Sequence, residues 1–102
     1  MGDYLPAMRS VDLPEGSMSA VDVNGTHILL AKIGGEVFAV SGTCTHEDAD
    51  LGQGFILEGR VVCPLHLSQF DLRTGEAVTP PATDSLKRYR TRVDRDTIYV
   101  EV

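Results

Sequence analysis

Short apolar runs separated by turn signals dominate the chain, which is the pattern of an all-β domain. Ser19 to Val23 leads into Asn24-Gly25, a strong two-residue hairpin signal. The Ile- and Leu-rich run Thr26 to Ile33 follows, then a turn at Gly34-Gly35-Glu36 and a strand at Val37 to Val40. A polar stretch, Ser41 to Gly54, reads as a loop. Phe55 to Leu57 and Arg60 to Cys63 bracket the tight turn Glu58-Gly59. A second loop, Pro64 to Ser68, precedes a strand at Gln69 to Leu72, a turn at Arg73-Thr74-Gly75 and a return at Glu76 to Val78. Pro80-Pro81 blocks both helix and central strand. The remainder reads as one hairpin, Leu86 to Val93 and Thr97 to Val102, joined at Asp94-Arg95-Asp96, with clear alternation at Ile98, Val100 and Val102. The whole predicts an antiparallel β-sandwich, residues 1–102, into which a loop-rich subdomain at about 41–83 is inserted.

Length and charge narrow this picture. One domain fills 102 residues. Net charge is −6, so a phosphate backbone would be repelled and nucleic acid is excluded as a partner. The acids concentrate early and centrally, with Glu47, Asp48 and Asp50 just behind His46, whereas most cations come late, at Lys87, Arg88, Arg90, Arg92 and Arg95. Those three acids are either a solvated face or the rim of a docking site for a basic partner. No apolar run reaches the roughly 18–20 residues that span a bilayer, and MGDYLPAMRS lacks a secretory pattern, so a cytoplasmic chain without a membrane anchor is expected.

The chemistry sits in the two loops. Each offers one cysteine and one histidine: Cys44-Thr45-His46 in the first, Cys63-Pro64-Leu65-His66 in the second. A tight turn at a strand end lets two nearby side chains converge, and two such turns brought together make a four-ligand site. Thiolate and imidazole suit both zinc and iron–sulfur centres. Structural zinc sites usually group like ligands, whereas here each loop mixes the two types. Both cysteines are used in this way, leaving none for a disulfide framework.

The pattern C-x-H followed by C-P-x-H resembles the Rieske [2Fe–2S] motif. Phe70-Asp71-Leu72-Arg73-Thr74-Gly75 and Pro80-Pro81-Ala82 ahead of Leu86 and Tyr89 resemble the same family. The likeness is close from about Ser41 to Tyr89 and looser in the flanking hairpins. It implies the Rieske fold and one [2Fe–2S] cluster, with Cys44 and Cys63 on a buried iron and His46 and His66 on an outer one. Two neutral imidazoles in place of two thiolates make the cluster less negative. The potential then rises from about −400 mV to somewhere between about −150 and +300 mV.

The resemblance also places this chain within that range. High-potential relatives resemble C-P-C-H-G-S-x-Y around the second loop. Here Leu65 removes the extra cysteine and Phe70 removes the tyrosine hydroxyl, while Ser68 keeps the serine and Leu67 replaces a glycine. A potential in the low or lower-middle part of the range is expected. Ser68 is a candidate hydrogen-bond donor to a cluster sulfur, and Pro80 and Pro81 resemble the proline loop that covers the cluster.

An oxygenase would need a further iron held by two histidines and a carboxylate, and only His27 of the three histidines is left over. His27 itself reads as an exposed strand residue, and Phe38, Phe55 and Phe70 as core or loop-packing residues. No G-x-G-x-x-G precedes a helix, so nicotinamide or flavin binding is not expected. The chain is similar to the ferredoxin component of bacterial aromatic-ring-hydroxylating dioxygenase systems. That likeness implies a monomeric one-electron carrier between a flavoprotein reductase and a terminal oxygenase, itself no enzyme. The alternatives are the small Rieske-like subunit of an NAD(P)H nitrite reductase and, in another class, a zinc-stabilised structural module.

Overall fold

The computed structural model describes residues 3–45, 49–65, 67–79 and 84–102. Among the described residues ten strands make three antiparallel sheets. β1 (Tyr4–Arg9), β9 (Thr91–Asp94) and β10 (Thr97–Glu101) form the first, in the order β1-β10-β9. β2 (Met18–Val23), β3 (Thr26–Ile33), β4 (Glu36–Ser41) and β8 (Arg88–Tyr89) form the second, in that order. β5 (Phe55–Leu57), β6 (Arg60–Val62) and β7 (Gln69–Asp71) form the third, inside the stretch 41–83. Among the described residues the helical elements are two 3₁₀ turns, Ser10–Asp12 and Leu51–Gln53. The all-β antiparallel expectation holds.

The turns fix the register. Val23 pairs with Thr26, Ile33 with Glu36 and Leu57 with Arg60, so each hairpin has a two-residue connection. Asn24-Gly25 and Glu58-Gly59 both carry positive φ throughout, the backbone that matches the twist of the flanking strands.

β3 explains the layering. Its centre, Ile28 to Ala31, is buried on both faces. Ile28 and Leu30 point with Ala39, Ile98, Val100, Leu13 and Val23 into one core. Leu29 and Ala31 point with Val40, Leu51, Val61, Phe70 and Leu72 into the other, which also contains Cys44 and Cys63. The second sheet is thus a wall shared by two cores, and this is why Thr26 to Ile33 reads as a continuous apolar run rather than an alternating one.

Three features depart from the sequence reading. β1 had no counterpart in it: Pro6 interrupts the run, and the partner strand β10 lies at the other end of the chain. β1 is an edge strand, and its register shifts between Pro6 and Met8, a place where a missing N–H is tolerated. The expected single strand from Leu86 to Val93 breaks at Arg90. Tyr89 pairs with Ala39 in the second sheet, whereas Thr91 pairs with Val100 in the first, and the Thr91 hydroxyl donates to the Val37 carbonyl between them. The expected return at Glu76 to Val78 runs beside β7 through the Phe70–Ala77 bridge and the Val78 N–H to Gln69 C=O bond, without becoming a regular strand.

Candidate metal centre

The first loop continues the ladder of β4. The Leu51 N–H donates to the Gly42 carbonyl at 2.8 Å, Thr43 bridges Asp50, and the Cys44 N–H donates to the Ala49 carbonyl at 2.9 Å. Backbone pairing therefore delivers Cys44 to the loop's closing rung. The Thr45 hydroxyl donates to the Asp84 carbonyl at 2.7 Å and ties this loop to the segment beyond the prolines.

The second loop is the β6–β7 connection. The Cys63 N–H donates to the Ser68 carbonyl at 2.8 Å, one step beyond the Val62–Gln69 pair. Leu67 has φ near +58°, so it occupies the left-handed conformation that a glycine would take most readily. A leucine here thus holds a glycine-like backbone conformation. Leu65 and Leu67, on either side of position 66, are 47% and 62% exposed and form an apolar surface beside the loop.

Cys44 and Cys63 are both buried, in the same apolar cluster with Leu29, Ala49, Val61 and Phe70. Ser68, whose carbonyl closes the Cys63 rung, is fully buried. Two soft sulfur donors, each on a backbone-closed hairpin loop and sharing one dry core, suit a thiolate-held metal group rather than a hydrated cation. His46 and His66, with Glu47, Asp48, Pro80 and Pro81, lie outside the described residues, and among the described residues no third metal-binding side chain joins a group.

The remaining expectations divide. Phe70 is a core residue, as expected, but Phe55 is 53% exposed on the outer face of the third sheet. Phe38 lies beneath the Arg73 guanidinium, 5.3 Å from its ring centre. The late cations are partly spoken for: Lys87 stacks on Tyr89 at 5.1 Å and Arg92 on Tyr4 at 4.9 Å. These three aromatic rings line an open cleft of about 550 Å³ that includes neither cysteine.

His27 corrects the sequence reading most. It is half-buried rather than exposed, with Nδ1 2.8 Å from Asp22 and Nε2 3.0 Å from Asp50. Asp50, and after it Asp22, hold the imidazole above its ordinary value of 6.5. Asp50 is in turn held below the usual carboxylate range, first by His27 and then by the Gly52 amide. It is therefore no free rim charge. One signal was legible: across the Asn24-Gly25 turn, hairpin register sets His27 opposite Asp22. Asp50, 23 residues away, carried no such signal.

The model of the Rieske [2Fe–2S] domain family matches residues 3–90. The ferredoxin component of the naphthalene 1,2-dioxygenase/salicylate 5-hydroxylase systems of Ralstonia sp. is 40% identical over 93 residues, covering 90% of this chain and 88% of that protein. The ferredoxin of carbazole 1,9a-dioxygenase from Nocardioides aromaticivorans superposes with a TM-score of 0.91 at 31% identity, covering 96% of both chains. A further solved structure, a complex of reduced oxygenase and oxidized ferredoxin in carbazole 1,9a-dioxygenase, matches with a TM-score of 0.90 at 26% identity, over 96% of this chain and 92% of that one.

Proposed function

Because the chain belongs to the Rieske [2Fe–2S] domain family, we infer that it works as the ferredoxin of an aromatic-ring dioxygenase system, an electron-transfer component rather than a catalyst. The observation that carries this reading is whole-length likeness. Ferredoxin components match this chain nearly from end to end, and it in turn covers most of their length.

The family's cofactor is one [2Fe–2S] cluster, which when bound accepts and returns a single electron. Cys44 and Cys63 would hold it as thiolates and His46 and His66 as imidazoles. The two buried cysteines, each on the closing rung of its loop, support the first half of that assignment. The apolar cluster around the sulfurs excludes water and so shapes the potential. Ser68, buried at the end of the second loop, would act on the same group, and Pro80 and Pro81 would cover it. We read residues 1–102 as one domain whose cluster-binding part is 41–83. The separate third sheet supports the division, and the shared core supports the unity.

The partners of this reading are a flavoprotein reductase as donor and a terminal oxygenase as acceptor. The solved complex of a similar ferredoxin with its oxygenase supports the second. Leu65 and Leu67 leave apolar surface beside position 66, where a partner can approach closely. The carrier would act as a monomer in the cytoplasm, away from nucleic acid. No helix among the described residues is long and apolar enough to cross a membrane.

An EPR-monitored redox titration of the purified protein tests the reading. A reduced-state signal with average g clearly below that of all-cysteine [2Fe–2S] clusters is the expected result. Metal-bearing protein without that signal would return the chain to the zinc-module alternative.

A further inference from the structure

His27 is outside the cluster motif, yet it grips both arms of the loop that carries Cys44. On the outgoing arm, its carbonyl accepts the Gly42 N–H at 3.0 Å, and its ring packs on Gly42 so closely that a Cβ there would lie 2.5 Å from Cδ2. On the returning arm, its Nε2 meets Asp50 Oδ1 at 3.0 Å. That same oxygen accepts the Gly52 N–H at 2.9 Å and caps the 3₁₀ turn Leu51–Gln53. Behind the ring, Nδ1 meets Asp22 Oδ1 at 2.8 Å on the neighbouring strand. The two arms are themselves joined by the Gly42–Leu51 and Cys44–Ala49 rungs.

We propose that His27 is a positioning residue for the metal centre, whose imidazole straps Asp50, and with it the Cys44 loop, onto the β2–β3 hairpin. Carboxylates only accept hydrogen bonds, so both ring nitrogens donate when the ring is an imidazolium. Asp22 anchors the ring to its own hairpin; Asp50 is the arm that reaches the loop. The strap would slow the loop's opening and so the release of the cluster, as groups behind metal ligands commonly do. This rests on the Rieske reading.

The test uses cluster-loaded protein with Asp50→Asn, His27→Ala, the double variant, and Asp22→Asn. An asparagine can still cap the 3₁₀ turn, so Asp50→Asn removes the charged pairing and keeps the fold's local bonds. It also keeps the proposal testable if His27→Ala fails to fold. Cluster loss is followed by visible bleaching in chelator without denaturant, beside EPR line shape and urea midpoint. Asp50→Asn and His27→Ala should each speed loss roughly tenfold and broaden the EPR lines. The double variant should be no faster than the faster single, and Asp22→Asn should stay within about twofold of wild type, because its carboxylate is largely exposed and never touches the loop. Multiplied effects in the double variant would overturn the proposal. So would equal effects at Asp22 and Asp50, or loss rates that merely follow the urea midpoint with unchanged EPR. Wild-type protein without a Rieske signal would instead sink the reading beneath it.

Discussion

Gly54→Ala is expected to be among the most damaging single-methyl changes in the chain. Gly54 has φ near −88° and ψ near −151°, an extended backbone rather than the left-handed one that favours glycine. The obstacle is the Val62 carbonyl oxygen, which would lie 1.9 Å from the new Cβ, whereas ordinary contact begins near 3.4 Å. Opening that gap separates β5 from β6 by more than a hydrogen bond tolerates. It strains the Phe55–Val62 pair and the Gly54 N–H to Leu51 C=O bond at 3.0 Å. Overpacking at about 1–3 kcal/mol with one or two weakened hydrogen bonds near 1 kcal/mol each gives a loss of about 3 kcal/mol. Gly59→Ala is the control. Its Cβ meets open space and its φ is +79°, so the cost is left-handed strain alone, about 1 kcal/mol. At about 4–8 °C per kcal/mol for a domain of this size, circular-dichroism melts should fall by at least about 12 °C and by about 4–8 °C respectively. Val62 is bonded to Cys63, so iron content should fall in Gly54→Ala and hold in Gly59→Ala. A Gly54→Ala melt within about 4 °C of wild type, or no lower than that of Gly59→Ala, would refute the reasoning.

Other outcomes follow from the same geometry. Leu67→Gly should raise stability slightly, by up to about 1 kcal/mol, by relieving the left-handed leucine at an exposed site; a lower melting temperature would contradict this. Ser68→Ala should lower the reduction potential by about 40 mV if its hydroxyl bonds to a cluster sulfur, because one hydrogen bond of about 1 kcal/mol favours the reduced state; an unchanged voltammetric midpoint would confine Ser68 to capping the loop. The wild-type midpoint should stay below about +150 mV, consistent with Leu65 and Phe70. The His27 pKa is raised in the folded protein, so its contribution to stability is full below 6.5 and is lost as pH rises through the higher folded value. Urea unfolding of wild type against His27→Ala should therefore converge as pH rises above 6.5, from a gap of at most about 1 kcal/mol given the ring's exposure; a gap that widens with pH would reverse the sign.

How much of this was legible depended on how local the signal was. The Asn24-Gly25, Gly34-Gly35 and Glu58-Gly59 turns are written in adjacent residues, and the strands they join came out within a residue or two. The two cysteines were legible because their loops each announce a strand end. β1 was hidden because its partner is β10, nearly the whole chain away, and because Pro6 reads as an interruption until the register shift beside it is seen. The break at Arg90 was hidden because alternation says which face a residue takes, not which sheet it joins. His27 looked idle for the same reason: one partner sits across a hairpin, the other on a loop that only the fold brings near.

The shared wall has a consequence for how the molecule breathes. Solvent reaches the amides of Leu29 and Leu30 only if one of the two cores is peeled from β3, because each face of that strand belongs to a different core. Their exchange with deuterium should therefore report global opening, while amides at the Glu58-Gly59 turn exchange through local fraying. Peeling away the side that carries Cys44 and Cys63 strips Leu29, Ala31 and Val40 of their cover and leaves the rest with a half-exposed sheet. Loss of the metal group should thus be felt as faster exchange along the whole of β3, including Leu30 and Ile28, whose side chains belong to the core without the sulfurs.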